Sequence, residues 1–270
     1  MKLIRCMLLT VLPAFFSPAD VLLNETFESG LGSALASNLT TVTTGSGAIG
    51  SDNVADLNDD SATGASYLEY NAGTSAAGAL YVSFDLLSIN PAGVGSSGSN
   101  PMTFGIGAWD NSTGYKLNAN AARALGLDIY HDGDRSNLKV RVGSSAVYTA
   151  TYTPSLLMTF QIWVNDSDSS TLTYTRPDTL ESAVLSADSF VVYLNGTLIG
   201  SDTAGYAMQT SVSSGDAVLG RVGFYTSSTV IAEFQLDDLH VESVIPEPAT
   251  LSLVAVFGGA LLIIRRYSRF

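Results

Sequence analysis

Apolar and polar residues alternate with a period of two along several short stretches of this chain. The clearest are Tyr81-Val82-Ser83-Phe84-Asp85-Leu86, Leu125 to Tyr130, Leu138 to Val142 and Phe160 to Val164. Such alternation sends every second side chain to one face and predicts strands buried on one side. Phe190-Val191-Val192-Tyr193-Leu194 is apolar throughout and reads as a more central strand. Turn formers separate these stretches. His131-Asp132-Gly133-Asp134 and Leu194-Asn195-Gly196-Thr197 offer Asp-Gly and Asn-Gly, which accept the positive φ of a tight hairpin. Between Asp20 and Ser243 no long apolar stripe has the 3.6-residue period, although Asn118 to Gly126 has room for a helical turn. The body is predicted to be all-β, and many short strands between turns fit a two-sheet sandwich.

Both ends depart from this pattern. Lys2 and Arg5 precede an apolar run from Leu3 to Phe16, and Ser17-Pro18-Ala19 puts small residues where a signal peptidase reads them. Residues 1–19 are therefore expected to be a signal peptide, cut before Asp20 by signal peptidase. The single cysteine, Cys6, leaves with it, so the mature chain is held by its core without disulfides. At the other end Pro246-Glu247-Pro248 is followed by an apolar run from Ala249 to Ile264 and then by Arg265, Arg266 and Arg269. That run is about 16 residues, roughly 24 Å as a helix, enough to cross a thin membrane. The arginines favour a cytoplasmic C-terminus, with the body outside. Tripeptide, short apolar span and basic end together resemble the PEP-CTERM sorting signal. The resemblance implies an exosortase-type membrane protease as partner, removal of the tail, and transient anchoring in the inner membrane before delivery to the cell surface or biofilm matrix. A plain single-pass anchor explains the span and the arginines but not Pro246, Glu247 and Pro248. The expected organisation is a signal peptide, one domain over 20–243, and a sorting tail over 244–270 with its membrane span at about 249–264.

Charge narrows the chemistry. Five of the 12 Lys and Arg sit in the two ends, leaving seven in the body against all but Glu247 of the 25 Asp and Glu. A body this acidic argues against nucleic acid as a partner and supplies carboxylates for calcium. Two histidines and no mature cysteine argue against zinc. Gly45, Gly47 and Gly50 form a G-x-G-x-x-G without the flanking strand and helix that a dinucleotide requires. The chain has no Gly-x-Ser-x-Gly elbow and no run of closely spaced acids on one strand, and His131 and His240 read as surface side chains. The acidic stretches Asp56 to Asp60 and Asn165 to Asp168 lack the spacing of an EF-hand and read as solvated loops.

The opening Asn24 to Gly32, the hairpin Phe190 to Gly200, and the closing Leu219 to Tyr225 and Phe234 to Val241 resemble a concanavalin A-like jelly roll of the laminin-G type. Another β-sandwich or a β-helix is the alternative. Alternation breaks at Asp237-Asp238, because Phe234 and Leu236 share one phase and Leu239 and Val241 the other, which predicts a β-bulge. The resemblance implies that the first and last strands lie side by side and share a structural calcium ion, with Glu25, Glu28, Asp237 and Asp238 as ligands. Trp109, at a strand end, is the candidate for stacking on a sugar ring. The expected function is that of a non-enzymatic surface or matrix protein, structural or adhesive and binding an extracellular polysaccharide. An unusual secreted carbohydrate-active enzyme is the alternative.

Overall fold

A computed structural model describes residues 20–39, 42–59, 65–72, 78–89, 102–108, 117, 119–132, 135–200, 203–213, 219–226 and 232–244. Expectations for residues 1–19, Trp109, Pro246, Glu247, Pro248, Arg265 and Arg266 lie outside these. Among the described residues no helix is long and apolar enough to cross a membrane.

The described strands are, in chain order, β1 Asp20–Glu25, β2 Leu35–Ser37, β3 Val42–Thr44, β4 Asn53–Asp59, β5 Tyr67–Asn71, β6 Ala79–Ile89, β7 Met102–Ala108, β8 Arg123–Asp132, β9 Arg135–Val142, β10 Ser145–Thr151, β11 Leu157–Asn165, β12 Leu172–Thr175, β13 Ser182–Leu185, β14 Ser189–Leu194, β15 Thr197–Leu198, β16 Tyr206–Ala207, β17 Leu219–Thr226 and β18 Ala232–Ser243. A first sheet, here sheet A, runs β15-β14-β11-β6-β18-β4-β3, with β1 on β18 and β16 on β14. A second, sheet B, runs β10-β9-β8-β7-β17-β5-β2. The expected all-β, two-sheet architecture is thus the observed one, and a 3₁₀ turn at Asn120–Ala122 falls where the sequence left room for it.

The inner faces interleave in one apolar core. Phe84 of β6 meets Phe160 of β11 at 4.8 Å and Phe104 and Phe224 of sheet B at 4.9 Å each, joining the layers. The Asn195-Gly196 turn closes β14 onto β15 with φ of 50° and 72°, as a two-residue hairpin requires. β1 and β18 pair antiparallel, with Asp20 opposite Ser243 and Glu25 opposite Leu239. The register of β18 against β6 shifts between Asp237 and His240, and Asp238 has φ 47°, so a bulge restores the apolar phase at Leu239 and Val241.

The apolar run Phe190 to Leu194 lies near the edge of sheet A, not at its centre. It is buried on both sides because the β12–β13 hairpin covers its outer face, packing Leu172, Tyr174 and Leu185 on Val191 and Tyr193. Trp163 on β11 joins this smaller cluster, 5.2 Å from Tyr174 and 4.8 Å from Tyr81.

Candidate functional site

The outer face of sheet B carries a layer of buried charge laid over glycine. Gly126 of β8, Gly105 of β7 and Gly223 of β17 are register partners across three adjacent strands, and the row ends in Arg141 of β9 and Glu69 of β5. Glycine is required here by what lies above it. A Cβ on Gly105 would stand 2.6 Å from Cδ of Arg123, one on Gly126 3.0 Å from Nη1 of Arg123, and one on Gly223 2.6 Å from the Tyr225 hydroxyl. The long side chains therefore lie flat on the sheet instead of standing away from it.

They form two linked sets. Glu69, 2% exposed, receives Arg221 Nη1 at 2.9 Å and the hydroxyl of Tyr225. Burial, with Glu69 adding to it, pushes the Tyr225 phenol far above its ordinary value, so it remains a donor to Glu69. It also accepts the N–H of Leu117 at 3.2 Å. Across the glycines, fully buried Asp128 accepts from the Thr103 hydroxyl at 3.1 Å and from Arg141 Nε, and stands 3.7 Å from Arg123 Nη1. Arg141 also donates to the Ser144 carbonyl at 2.7 Å and to the Tyr130 hydroxyl at 3.3 Å, while Lys139 Nζ sits 4.5 Å above the Tyr130 ring. Arg123 is 4% exposed and donates to Asn120 Oδ1, but its Nε and Nη1 make no hydrogen bond. Burial lowers its pKa, partly offset by Asp128, yet a guanidinium stays charged.

Beside this layer opens a cleft of about 420 Å³ between Asn120, Ala121, the β9–β10 turn at Gly143 to Ser145, and Gln209. Both arginines touch its wall, Arg123 through Asn120 and Arg141 through Ser144. Gln209 is anchored by its N–H on the Ala124 carbonyl at 3.0 Å and by Nε2 on the Ser211 hydroxyl at 2.7 Å. Its Oε1 is buried with no donor. Gly143 has φ 57°, and a Cβ there would stand 2.7 Å from that oxygen, so glycine keeps the turn close to Gln209.

The residues expected to bind calcium are placed differently. Strands β1 and β18 adjoin, but Glu25 Oε1 accepts the Phe27 N–H at 3.0 Å, and Glu28 turns to β4, where Oε1 accepts the Asn53 N–H at 3.1 Å. At the bulge Asp237 is buried and accepts the Asp238 N–H at 2.8 Å. Burial first, then Asp238, Asp52 and Asp85, pushes its carboxyl up to about 6. Calcium takes 6–8 oxygen ligands. Among the described residues no group of three or more Asp, Glu, His or Cys is placed to hold a metal.

Two acids read as solvated are not. Asp166 Oδ2 accepts the N–H of Leu219, tying the end of β11 to the start of β17, and burial pushes its carboxyl up to about 7. Asp56 is pushed to about 6 by burial and then by Glu233. His240 lies on the outer face of sheet A with Nδ1 3.2 Å from Asn24 Oδ1 and Nε2 3.2 Å from Glu242 Oε2. Both ring nitrogens have partners, so neither is left to activate the Ser83 hydroxyl opposite on β6. Arg123, Arg141, Arg221 and Asp128 did not stand out in the sequence; the one available signal was the glycine at alternate positions of Phe104-Gly105-Ile106-Gly107 and of Val222-Gly223-Phe224, where a polar side chain is usual on an outward face.

No family model matches the chain, and no curated protein matches it. Solved structures do. The carbohydrate esterase vb_24B_21 of a Shiga toxin-encoding bacteriophage, phi24B, superposes with a TM-score of 0.52 at 13% identity over 84% of this chain and 100% of that one. The globular domain of T. cruzi calreticulin gives 0.51 at 10% identity over 90% and 94%. The potassium-bound carbohydrate recognition domain of Emp46p gives 0.50 at 9% identity over 83% and 97%. At these identities the likeness shows a shared sandwich fold.

Proposed function

We propose that this chain is an exported surface or extracellular-matrix protein whose sandwich binds a glycan without cleaving it. The observation that carries the glycan reading is the cleft at Asn120, Gly143 to Ser145 and Gln209. Its wall presents two serine hydroxyls and the side-chain amides of Asn120 and Gln209, beside arginines already fixed in place. Sugar hydroxyls donate and accept at once, so they match such a mixed wall, and its volume lies in the range of small-ligand sites. Two of the structurally similar proteins act on or recognise carbohydrate by their descriptions, which supports the reading by analogy of fold alone. The non-catalytic part rests on the engaged ring nitrogens of His240 and on the absence of an elbow or acid run in the sequence. Export, anchoring and exosortase-type sorting rest on the two ends of the sequence.

The test is a glycan array with the purified protein, followed by titration of the best ligand. Binding is expected in the micromolar to millimolar range, and Gln209→Ala should weaken it by about threefold to tenfold, the effect of one lost hydrogen bond. Release of reducing ends or acyl groups above background, abolished by replacing a single carboxylate or serine, would instead establish the enzymatic alternative.

A further inference from the structure

The two sheets divide the charge of the domain unequally. The strands of sheet A carry nine acidic residues, from Asp20 to Glu242, and no Lys or Arg. Those of sheet B carry Arg123, Arg135, Lys139, Arg141 and Arg221 against Glu69, Asp128 and Asp132. Five of the seven basic residues of a strongly acidic body thus sit on one sheet. Two of them, Lys139 and Arg141, share one phase of β9, and the opposite phase, Leu138 and Val140, is fully buried in the core. At about 3.4 Å per residue the two stand roughly 7 Å apart along the strand. Lys139 and Arg141 both engage Tyr130 on the neighbouring strand, so cations and an aromatic ring form one half-buried ridge. The ridge is continuous with the cleft, because Arg141 holds the β9–β10 turn by its bond to the Ser144 carbonyl.

Of these cations Arg221 is matched by Glu69, and Asp128 serves both Arg123 and Arg141. The layer therefore has more cations than acids, and Lys139 has the Tyr130 ring beneath it. Scattered cations in an acidic protein normally sit beside acids on every face. Concentration on one face creates a local positive potential while the rest of the surface repels anions, so a polyanion is admitted on this face alone.

We propose that the outer face of sheet B binds an acidic polysaccharide, its carboxylate or sulfate groups meeting the β9 pair while a sugar ring occupies the adjoining cleft. This rests on the glycan reading above and gives its ligand class. A nucleic acid would need phosphate contacts along a longer basic track than one strand of an acidic domain offers.

The experiment immobilises the full-length chain and measures binding of sodium polygalacturonate, neutral dextran and single-stranded DNA by interferometry at about 50 and 300 mM salt. Polygalacturonate should bind most tightly and lose at least about fivefold in affinity at the higher salt, where screening is shorter than the spacing of the pair. The variant Lys139→Gln should lose about threefold at low salt, consistent with one partly exposed ion pair. Arg176→Gln, after β12, should lose nothing. Lys139→Met keeps the stem over Tyr130 and serves if the glutamine variant unfolds. Equal, salt-independent binding of polygalacturonate and dextran would overturn the acidic ligand while leaving the glycan reading standing. Binding of neither polymer would overturn both, and DNA bound as tightly as polygalacturonate would replace the assignment with a nonspecific polyanion surface.

Discussion

Replacing Asp128 by Asn tests whether the charge layer on sheet B is as dry as the structure shows. The substitution keeps the shape and leaves an oxygen to accept from Thr103, but it removes the one acid that serves both Arg123 and Arg141. Two unit charges at about 4 Å interact by roughly 4 kcal/mol at an effective dielectric constant of 20. Removing one partner of a buried pair costs about 3–5 kcal/mol, because the remaining charge stays desolvated. For a domain of this size that corresponds to a fall in Tm of about 6–20 °C. Urea unfolding followed by tryptophan fluorescence gives the free energy, and an unchanged m-value establishes that the folded state is the same. Asp178→Asn, which breaks the exposed pair with Arg176, should leave Tm within error. A loss below about 1 kcal/mol in Asp128→Asn would mean that water screens the layer, and the argument from burial would fail. Asp128→Leu combined with Arg123→Met should be more stable than either change alone, since a well-packed apolar pair leaves fewer uncompensated charges.

Two further outcomes follow from the acids and from the ends. Asp166 has its carboxyl raised to about 7, against an ordinary unfolded value near 3.9; the folded state holds the extra proton between those values, so the contribution is fully present below about 4 and lost as pH rises through 7. The Tm of wild type should fall between pH 5 and pH 8, and Asp166→Asn, which can still accept from Leu219, should flatten that fall; identical slopes would refute the assignment to Asp166. Intact mass spectrometry of protein extracted from the cell surface should show a chain beginning at Asp20 and lacking most of Ala249 to Phe270, whereas alanine at Pro246, Glu247 and Pro248 should retain the tail; a wild-type chain that keeps its tail would leave only a simple anchor.

Strands whose two faces meet different surroundings were legible in the sequence. Tyr81 to Leu86 and Phe160 to Val164 alternate because one face meets the core and the other does not, and the break at Asp237-Asp238 marked a real bulge because phase cannot shift without an extra residue. The position of Phe190 to Leu194 was not legible. Covering by the β12–β13 hairpin and covering by a second sheet produce the same apolar run. The candidate site was missed for a related reason. Arg123, Asp128, Arg141 and Glu69 stand at outward-facing positions, where charge is ordinary, and only the register of five strands shows that they lie down over glycines. Side-chain direction, which spacing does not specify, was not legible either: Glu25 and Glu28 stand near the first strand, and Oε1 of each turns to a backbone N–H, of Phe27 and of Asn53.

The charge layer is the part of the fold that stability alone does not explain. The apolar core between the sheets already supplies the burial a domain of this size needs, and buried ion pairs are weak contributors beside an equal volume of packed hydrocarbon. Arg123 lies beneath the surface with Nε and Nη1 unbonded. Where local rules are broken in an otherwise consistent fold, function is the usual reason. The same partition of charge gives the layer a direction. Sheet A, with nine acids and no Lys or Arg on its strands, turns polyanions away, and sheet B offers them the half-buried Arg141 guanidinium, whose conformational cost was met during folding rather than at binding. The first and last described strands, β1 and β18, pair with each other on sheet A. A tether joined to either strand is therefore attached to the sheet opposite the binding face.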